Sequence, residues 1–176
     1  WPMHPVRGQI SLLPAASLHC VPTLPLSGAG YATPPVHGQV VFGATAQPHD
    51  LDPAVREADH HDNLTRLARL YGRTPVGADK TADWAGRTGW RWVSRDRLPL
   101  IGAVPLAPGE GDAPDWHQAQ RVPRHKGLFV FTGLASRGIT WAALGAQVLA
   151  AQIAGAPVPL ERSLQEAIDP ARFGVR

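Results

Sequence analysis

One stretch of this sequence, residues 127–154, constrains the fold more than any other. Residues 127–132 form a continuous apolar run of strand length, and residues 133–138 form a turn that is rich in small residues. Residues 139–154 form an apolar segment of helical length, and the Gly155 and Pro157 that follow are typical of a helix C-terminus. We therefore predict a strand, a turn and a helix in direct succession.

Short strands and turns precede that stretch. Strand-like runs begin at four positions, Val6, Gly30, Gln39 and Gly89. The dipeptide His37-Gly38 is a turn signal between two of these runs and predicts a hairpin. A helix is predicted over residues 52–71, because Asp52 is a suitable cap and Pro53 suits the first helical position. The predicted fold class is α+β, with a mixed, mainly antiparallel sheet and packed helices.

The longest mostly apolar segment, residues 138–159, is interrupted by Gln147 and Gln152. A membrane span needs about 20 continuous apolar residues, so a buried helix is the better interpretation and no membrane partner is expected. The single cysteine, Cys20, cannot form an internal disulfide, and we predict that it is buried. A single cysteine does not indicate the compartment, so the cytoplasm is the default expectation.

The eight histidines raise the question of a metal site, and the densest cluster is residues 59–62, Asp-His-His-Asp. Adjacent residues on a helix point about 100° apart, so His60 and His61 are poorly placed to share one ion. We predict that this cluster is a solvated helix face and that the chain binds no metal.

A dinucleotide-binding fingerprint is missing from the chain. The nearest candidate, residues 28–33, lacks the third glycine, and Pro34-Pro35 prevents the helix that should follow. We therefore do not expect this chain to hold a dinucleotide by itself.

Two segments could bind an anionic or electron-rich group. The turn at 133–138 precedes a helix N-terminus, where backbone N–H groups lack partners, although it could equally be an ordinary strand-to-helix turn. Arg91 and Arg95 would share one face of a strand beside Trp90 and Trp92, although a solvated edge strand would look the same. A basic run near residues 121–126 could contact phosphates or simply be exposed.

Three segments resemble the D-amino-acid-oxidase and glycine-oxidase-like flavoproteins. Residues 133–140 resemble the last FAD-contacting loop of that family, residues 96–102 resemble its D-x-x-P-x-x-G segment, and residues 6–9 resemble the strand that opens its substrate domain. The resemblance implies substrate binding by Arg91 and Arg95. It implies cofactor contacts from eight consecutive residues: Gly133, Leu134, Ala135, Ser136, Arg137, Gly138, Ile139 and Thr140.

Within the family, the likeness is strongest to bifunctional tRNA-modifying members, and it covers most of the chain. It implies oxidative cleavage of a C–N bond that removes carboxymethyl from carboxymethylaminomethyl-uridine at the tRNA wobble position. The chain would be a truncated flavoprotein fragment without the N-terminal Rossmann glycine motif. Residues 1–125 would be the substrate-binding domain, and 126–176 the C-terminal strand and helix of the FAD domain.

The same resemblance implies partners and leaves alternatives open. The implied partners are tRNA, an N-terminal methyltransferase domain and the remainder of the FAD domain in the parent chain. FAD would be held by the full-length protein and not by this fragment, which would be inactive and would expose apolar surfaces that favour self-association. A small-molecule amino-acid or amine oxidase and a non-catalytic interaction module are the alternatives.

Overall fold

The computed structural model describes residues 1–76, 84–107 and 118–174. Eight strands are β1 (Met3–Pro14), β2 (Leu26–Ser27), β3 (Tyr31–Ala32), β4 (Gln39–Gly43), β5 (Gln47–Pro48), β6 (Ala85–Ser94), β7 (Leu100–Pro105) and β8 (Arg124–Thr132). Three helices are α1 (Glu57–Tyr71), α2 (Gly138–Ala154) and α3 (Arg162–Ile168). The predicted α+β class with mainly antiparallel sheets is confirmed.

The chain divides into two compact units, Pro5–Trp90 and a second formed by Trp1–His4 with Arg91–Arg176. These units differ from the functional division predicted at residue 125, which stays a prediction. The sequence also predicts a helical turn over residues 81–84 and a surface loop over residues 107–124, and most of both segments lies outside the described residues.

In the unit Pro5–Trp90, the strands form a sheet of order β2-β3-β4-β1-β5, with β6 also paired to β1. The predicted turn between β3 and β4 is present, because His37 (φ 50°) and Gly38 (φ 74°) both have left-handed backbones. Val36 and Gln39 exchange two backbone hydrogen bonds across it, as in a type I′ hairpin turn. The hairpin prediction is confirmed.

Helix α1 packs on this sheet and supplies part of its apolar core. The buried core residues are Leu13, Leu18, Ala32, Val40, Phe42, Leu64, Leu67 and Val76. The helix ends at Gly72, which has a left-handed backbone (φ 67°), and this agrees with the predicted end at residue 71. Its predicted start is wrong, because α1 begins at Glu57 and not near Asp52.

The buried side chain of Arg7 explains the late start of α1. Its guanidinium donates to the backbone carbonyls of Asp52 (2.7 Å) and Ala54 (2.5 Å), and to the carboxylate of Asp59 (2.6 Å). The Asp52 carboxylate accepts instead from the Ala54 N–H (2.9 Å), in a local turn. The carbonyls of residues 52 and 54 therefore bind Arg7, and this segment does not begin the helix.

The prediction of a solvated face at residues 59–62 is wrong for two of the four residues. Asp59 and His60 are 3% and 2% exposed, whereas His61 and Asp62 are exposed. Asp59 pairs with Arg7, and the His60 Nδ1 lies 2.7 Å from the Ser11 hydroxyl. Among the described residues, no three potential metal-ligating side chains lie together. Cys20, predicted to be buried, is exposed.

In the second unit, β7 and β8 form an antiparallel pair, with Leu100 opposite Thr132 and Ile101 opposite Phe131. Helix α2 packs on this pair through Gly145 and Val148, and it ends at Gly155 in the left-handed conformation, as predicted. The segment after α2 forms the short helix α3, which agrees with the helix that the sequence of residues 163–168 predicts.

Helix α2 is not the buried helix that its composition predicts. Only Gly145, Val148 and Ala151 are buried, whereas Ile139 is 97% and Ile153 58% exposed. The reason is geometric, because a two-stranded sheet covers only one side of a helix. Within the described parts of the chain, no helix is long and apolar enough to cross a membrane.

Candidate functional site

The loop between β8 and α2 contains two residues with positive φ, one of which is not glycine. Gly133 and Ala135 both have positive φ, 71° and 50°. The Ala135 N–H donates to the Trp92 carbonyl of β6 (3.2 Å), and the Arg137 N–H donates to the Leu134 carbonyl (3.0 Å). The loop is therefore closed on itself and fixed against the end of β6.

The N-terminus of α2 is open to an acceptor. The first helical hydrogen bond runs from the Trp141 N–H to the Arg137 carbonyl (2.9 Å), and no side chain caps the helix. The backbone N–H groups of residues 138–140 precede that bond and lack helical partners. No acidic residue lies in the first turn, and Ile139 and Thr140 are exposed. The helix dipole there favours a negative or electron-rich group.

Arg91 lies in β6 and is half-buried, one residue before the Trp92 that binds the loop. Successive side chains of a strand point to opposite faces, so Arg91 and the exposed Trp92 face different ways. Because the loop bonds to the Trp92 carbonyl, the structure brings the predicted cofactor loop and Arg91 to the same end of β6.

Arg95 does not share a strand face with Arg91, because β6 ends at Ser94 and Arg95 lies in the following turn. The Arg97 N–H donates to the Ser94 carbonyl (2.9 Å) and closes that turn. The guanidinium carbon of Arg95 lies 5.6 Å from the centre of the Phe173 ring. Its predicted role in substrate binding stays a prediction.

The turn after β6 is held by residues near the end of the described chain, which sequence reasoning missed. Arg172 donates to both carboxylate oxygens of Asp96 (2.7 and 3.0 Å) and to the Leu98 carbonyl (2.9 Å). The guanidinium of Arg172, aided by the Leu98 N–H and the Ser94 hydroxyl, lowers the pKa of Asp96 to about 2. The capped segment Asp169-Pro170 was a local sequence signal that this part of the chain is ordered.

The basic run at residues 121–126 includes one arginine with a structural role. Arg124 donates to the carbonyls of Ala103 (2.9 Å) and Ala119 (2.5 Å) and pairs with Asp169 (2.9 Å). These contacts join β7, β8 and the segment before Phe173. The Arg124 guanidinium is therefore committed to the fold of this unit.

Comparison with known proteins places these features in a family. The family model described as FAD dependent oxidoreductase (DAO) matches residues 1–152. The tRNA 5-methylaminomethyl-2-thiouridine biosynthesis bifunctional protein MnmC of Methylibium petroleiphilum is 52% identical over 99% of this chain, and that of Burkholderia mallei is 48% identical. The chain spans 28% and 27% of the length of these relatives.

Solved structures show the same fold at lower identity. Glycine oxidase from Geobacillus kaustophilus matches 96% of this chain and 39% of its own, with a TM-score of 0.66 at 21% identity. Iminodiacetate oxidase from Chelativorans matches 96% of this chain and 40% of its own, with a TM-score of 0.62 at 22% identity. Because the family model covers most of the sequence, the chain belongs to the DAO family of FAD-dependent oxidoreductases.

Proposed function

We propose that this chain is part of an FAD-dependent oxidoreductase that modifies tRNA. The observation that carries the proposal is the hydrogen bond from the Ala135 N–H to the Trp92 carbonyl, which fixes the loop 133–140 beside the strand that carries Arg91. The relatives at 48–52% identity support the RNA substrate, because their name assigns them to the biosynthesis of a modified tRNA uridine.

The loop fits the ring of a flavin but not its phosphates. The uncapped N–H groups of residues 138–140 suit an electron-rich ring carbonyl, and they would stabilise negative charge on a flavin ring held there. The sequence has no complete glycine fingerprint for the pyrophosphate, so we propose that other parts of the parent protein bind it. When bound, FAD supplies the two-electron acceptor for oxidation of a C–N bond.

Arg91 is the proposed ligand of the substrate carboxylate. A carboxymethylaminomethyl group ends in a carboxylate, which a guanidinium binds through two parallel hydrogen bonds. The carbon next to that carboxylate loses a hydride and the nitrogen a proton, which gives an imine. Water then cleaves the imine to a primary amine on the uridine and a glyoxylate. Arg91 orients the carbon that loses the hydride, and Arg95 is the second candidate for this role.

The proposal extends to the organisation of the parent protein. Residues 1–125 would bind substrate, and residues 126–176 would complete the FAD domain. The remainder of that domain and a methyltransferase domain would lie elsewhere in the parent, which agrees with the chain spanning 28% of its relative. FAD would be retained by the parent and not by this chain alone.

Arg91→Ala in the full-length protein tests the assignment. Loss of a charged hydrogen-bond partner should lower kcat/KM for tRNA that carries the carboxymethylaminomethyl group. The expected drop corresponds to a loss of about 1.5–3 kcal/mol of transition-state stabilisation. Flavin absorbance should stay at the wild-type level. Arg91→Lys should recover only part of the loss, because lysine keeps the positive charge but lacks the planar fork. Arg87→Ala is the matched control, since Arg87 is exposed on the same strand.

Each other result has a defined meaning. Wild-type kinetics in Arg91→Ala would remove Arg91 from substrate binding, and loss of flavin would make it a structural residue. Turnover of free amino acids without turnover of tRNA would favour a small-molecule oxidase. Absence of flavin from the full-length protein would favour a non-catalytic module.

A further inference from the structure

Four arginines of the second unit lie around the turn after β6 and the loop 133–140, which we call the flavin loop for its proposed role. We call Arg95, Arg97, Arg137 and Arg172 the arginine patch. The Arg137 guanidinium donates to the Arg97 carbonyl (2.8 Å), which joins the loop to the turn. The Arg95 and Arg172 guanidinium carbons lie 5.6 and 4.3 Å from the centre of the same ring, that of Phe173.

The patch carries a concentrated positive charge. Arg172 is neutralised by Asp96, whereas Arg95, Arg97 and Arg137 are exposed and have no carboxylate partner among the described residues. The four arginines and Asp96 together carry a formal charge of +3, which equals the formal charge of the whole chain. The other charged residues of the sequence sum to zero.

We propose that the arginine patch binds RNA phosphates on either side of the nucleoside that is presented to the flavin loop. This inference rests on the proposed function and deepens it. Guanidinium groups match phosphate geometry with two donors, and exposed arginines beside an aromatic ring are typical of single-strand contacts. A base that leaves its stack to enter the proposed site brings its flanking phosphates to the edge of that site.

The position of the patch favours phosphates over a small anionic substrate. Arg137 belongs to the loop proposed to contact the flavin, and Arg95 and Arg97 follow the strand that carries Arg91. One substrate carboxylate needs one guanidinium, which Arg91 supplies. Three further guanidinium groups at this edge of the site suit a substrate that brings several negative charges of its own.

Arg97→Gln in the full-length protein is the informative variant. The backbone of Arg97, and not its side chain, accepts from Arg137 and donates to Ser94, so the substitution leaves both bonds in place. Arg162→Gln is the matched control, because Arg162 is exposed and pairs only with Glu166 on its own helix among the described residues. Arg97→Lys keeps the charge and should retain most of the binding.

The first measurement is the Kd for unmodified tRNA across a range of salt concentrations. Each phosphate contact contributes about 0.7–0.9 to the slope of log K against log salt. Arg97→Gln should reduce the slope by about that amount and raise Kd about tenfold at low salt. Arg162→Gln should keep the wild-type slope and Kd.

The second measurement compares kcat/KM for modified tRNA with kcat/KM for the free carboxymethylaminomethyl-uridine nucleoside, which has no phosphates. Arg97→Gln should lower the ratio of the two values about tenfold. An equal loss on both substrates would overturn the proposal, because a merely structural role would lower both.

Two further results would also overturn it. A wild-type salt slope and Kd in Arg97→Gln, in a protein that does modify tRNA, would show that the patch does not contact RNA. A lower melting temperature of the RNA-free variant with unchanged tRNA binding would show that the patch binds another part of the protein. If the wild-type protein neither binds nor modifies tRNA, the proposed function itself fails, and this inference fails with it.

Discussion

Gly145→Ala provides a sharp test of how α2 is placed on the sheet. A Cβ at residue 145 would lie 2.4 Å from the Phe131 Cζ and 3.0 Å from the Ile101 Cδ1. Favourable carbon–carbon contacts are about 3.5–4.0 Å, so the helix or the Phe131 ring must shift by about 1 Å or more. Phe131 lies opposite Ile101 across β7 and β8, and Ile101 is buried in the face that α2 covers.

The magnitude follows from two opposing effects. Overpacking a core costs about 1–3 kcal/mol, and the severity of this overlap favours the upper end. Replacing a helical glycine with alanine stabilises by about 1 kcal/mol. The net loss should therefore be about 2 kcal/mol, and the melting temperature should fall by roughly 4–8 °C for a domain of this size.

The assay is thermal unfolding of the chain and of the full-length protein, with flavin retention measured in the latter. Retention should fall, because displacement of α2 also moves its N-terminus. Ala146→Gly is the control at the next, exposed position, and it should lose only the helix propensity of about 1 kcal/mol. A stabilised Gly145→Ala protein would refute the packing argument, since propensity would then be the dominant effect.

The remaining predictions concern the other unit and the chain as a whole. Arg7→Met should destabilise the protein by about 3–5 kcal/mol in denaturant unfolding, because it leaves the buried Asp59 carboxylate unpaired. Arg66→Met, which removes an exposed pair with Asp62, should cost no more than about 1 kcal/mol. Similar losses in the two variants would contradict the assigned burial. Burial lowers the pKa of His60, although Asp59 opposes this effect. The unfolded chain therefore binds the proton more tightly, and the contribution of His60 to stability, complete above about pH 6.5, should decline as the pH falls below that value. His60→Gln should flatten this part of the stability profile, and an unchanged profile would exclude His60 as its source. The purified chain should lack stoichiometric flavin by absorbance and should self-associate in light scattering, and a yellow monomer would contradict both expectations.

The elements that sequence reasoning predicted correctly depend on residues close together in the chain. The turn at His37-Gly38 needs two left-handed residues, and the ends of α1 and α2 need Gly72 and Gly155 in that conformation. Each signal lies within a few residues of the structure it determines. The segment 127–154 was predictable for the same reason.

The wrong predictions depend on distant partners. Asp59 and His60 looked like solvated residues, yet Arg7 binds Asp59 across 52 positions and Ser11 contacts His60 across 49. Buried polar groups require hydrogen-bonding partners, and periodicity does not reveal where those partners lie. The start of α1 was misplaced because Arg7 takes the carbonyls of residues 52 and 54.

The candidate site divides along the same line. The predicted cofactor loop and the strand that carries Arg91 followed from local pattern and family resemblance. The contacts of Arg172 and Phe173 with the turn after β6 did not, because they join segments 76 positions apart in one case. The role of Arg172 and Phe173 is therefore visible only in the folded structure.

The bond between Arg172 and Asp96 has a consequence for the order of events during synthesis. The turn that carries Arg95 and Arg97 leaves the ribosome long before residue 172, at a rate of about 5–20 residues per second. For several seconds Asp96 lacks the guanidinium that holds it, and the turn is open to alternative conformations. A ribosome that stalls before residue 172 would therefore leave a nascent chain whose turn keeps its local bonds from Arg97 to Ser94 and from Leu98 to Asp96 but lacks the two bonds from Arg172 to Asp96.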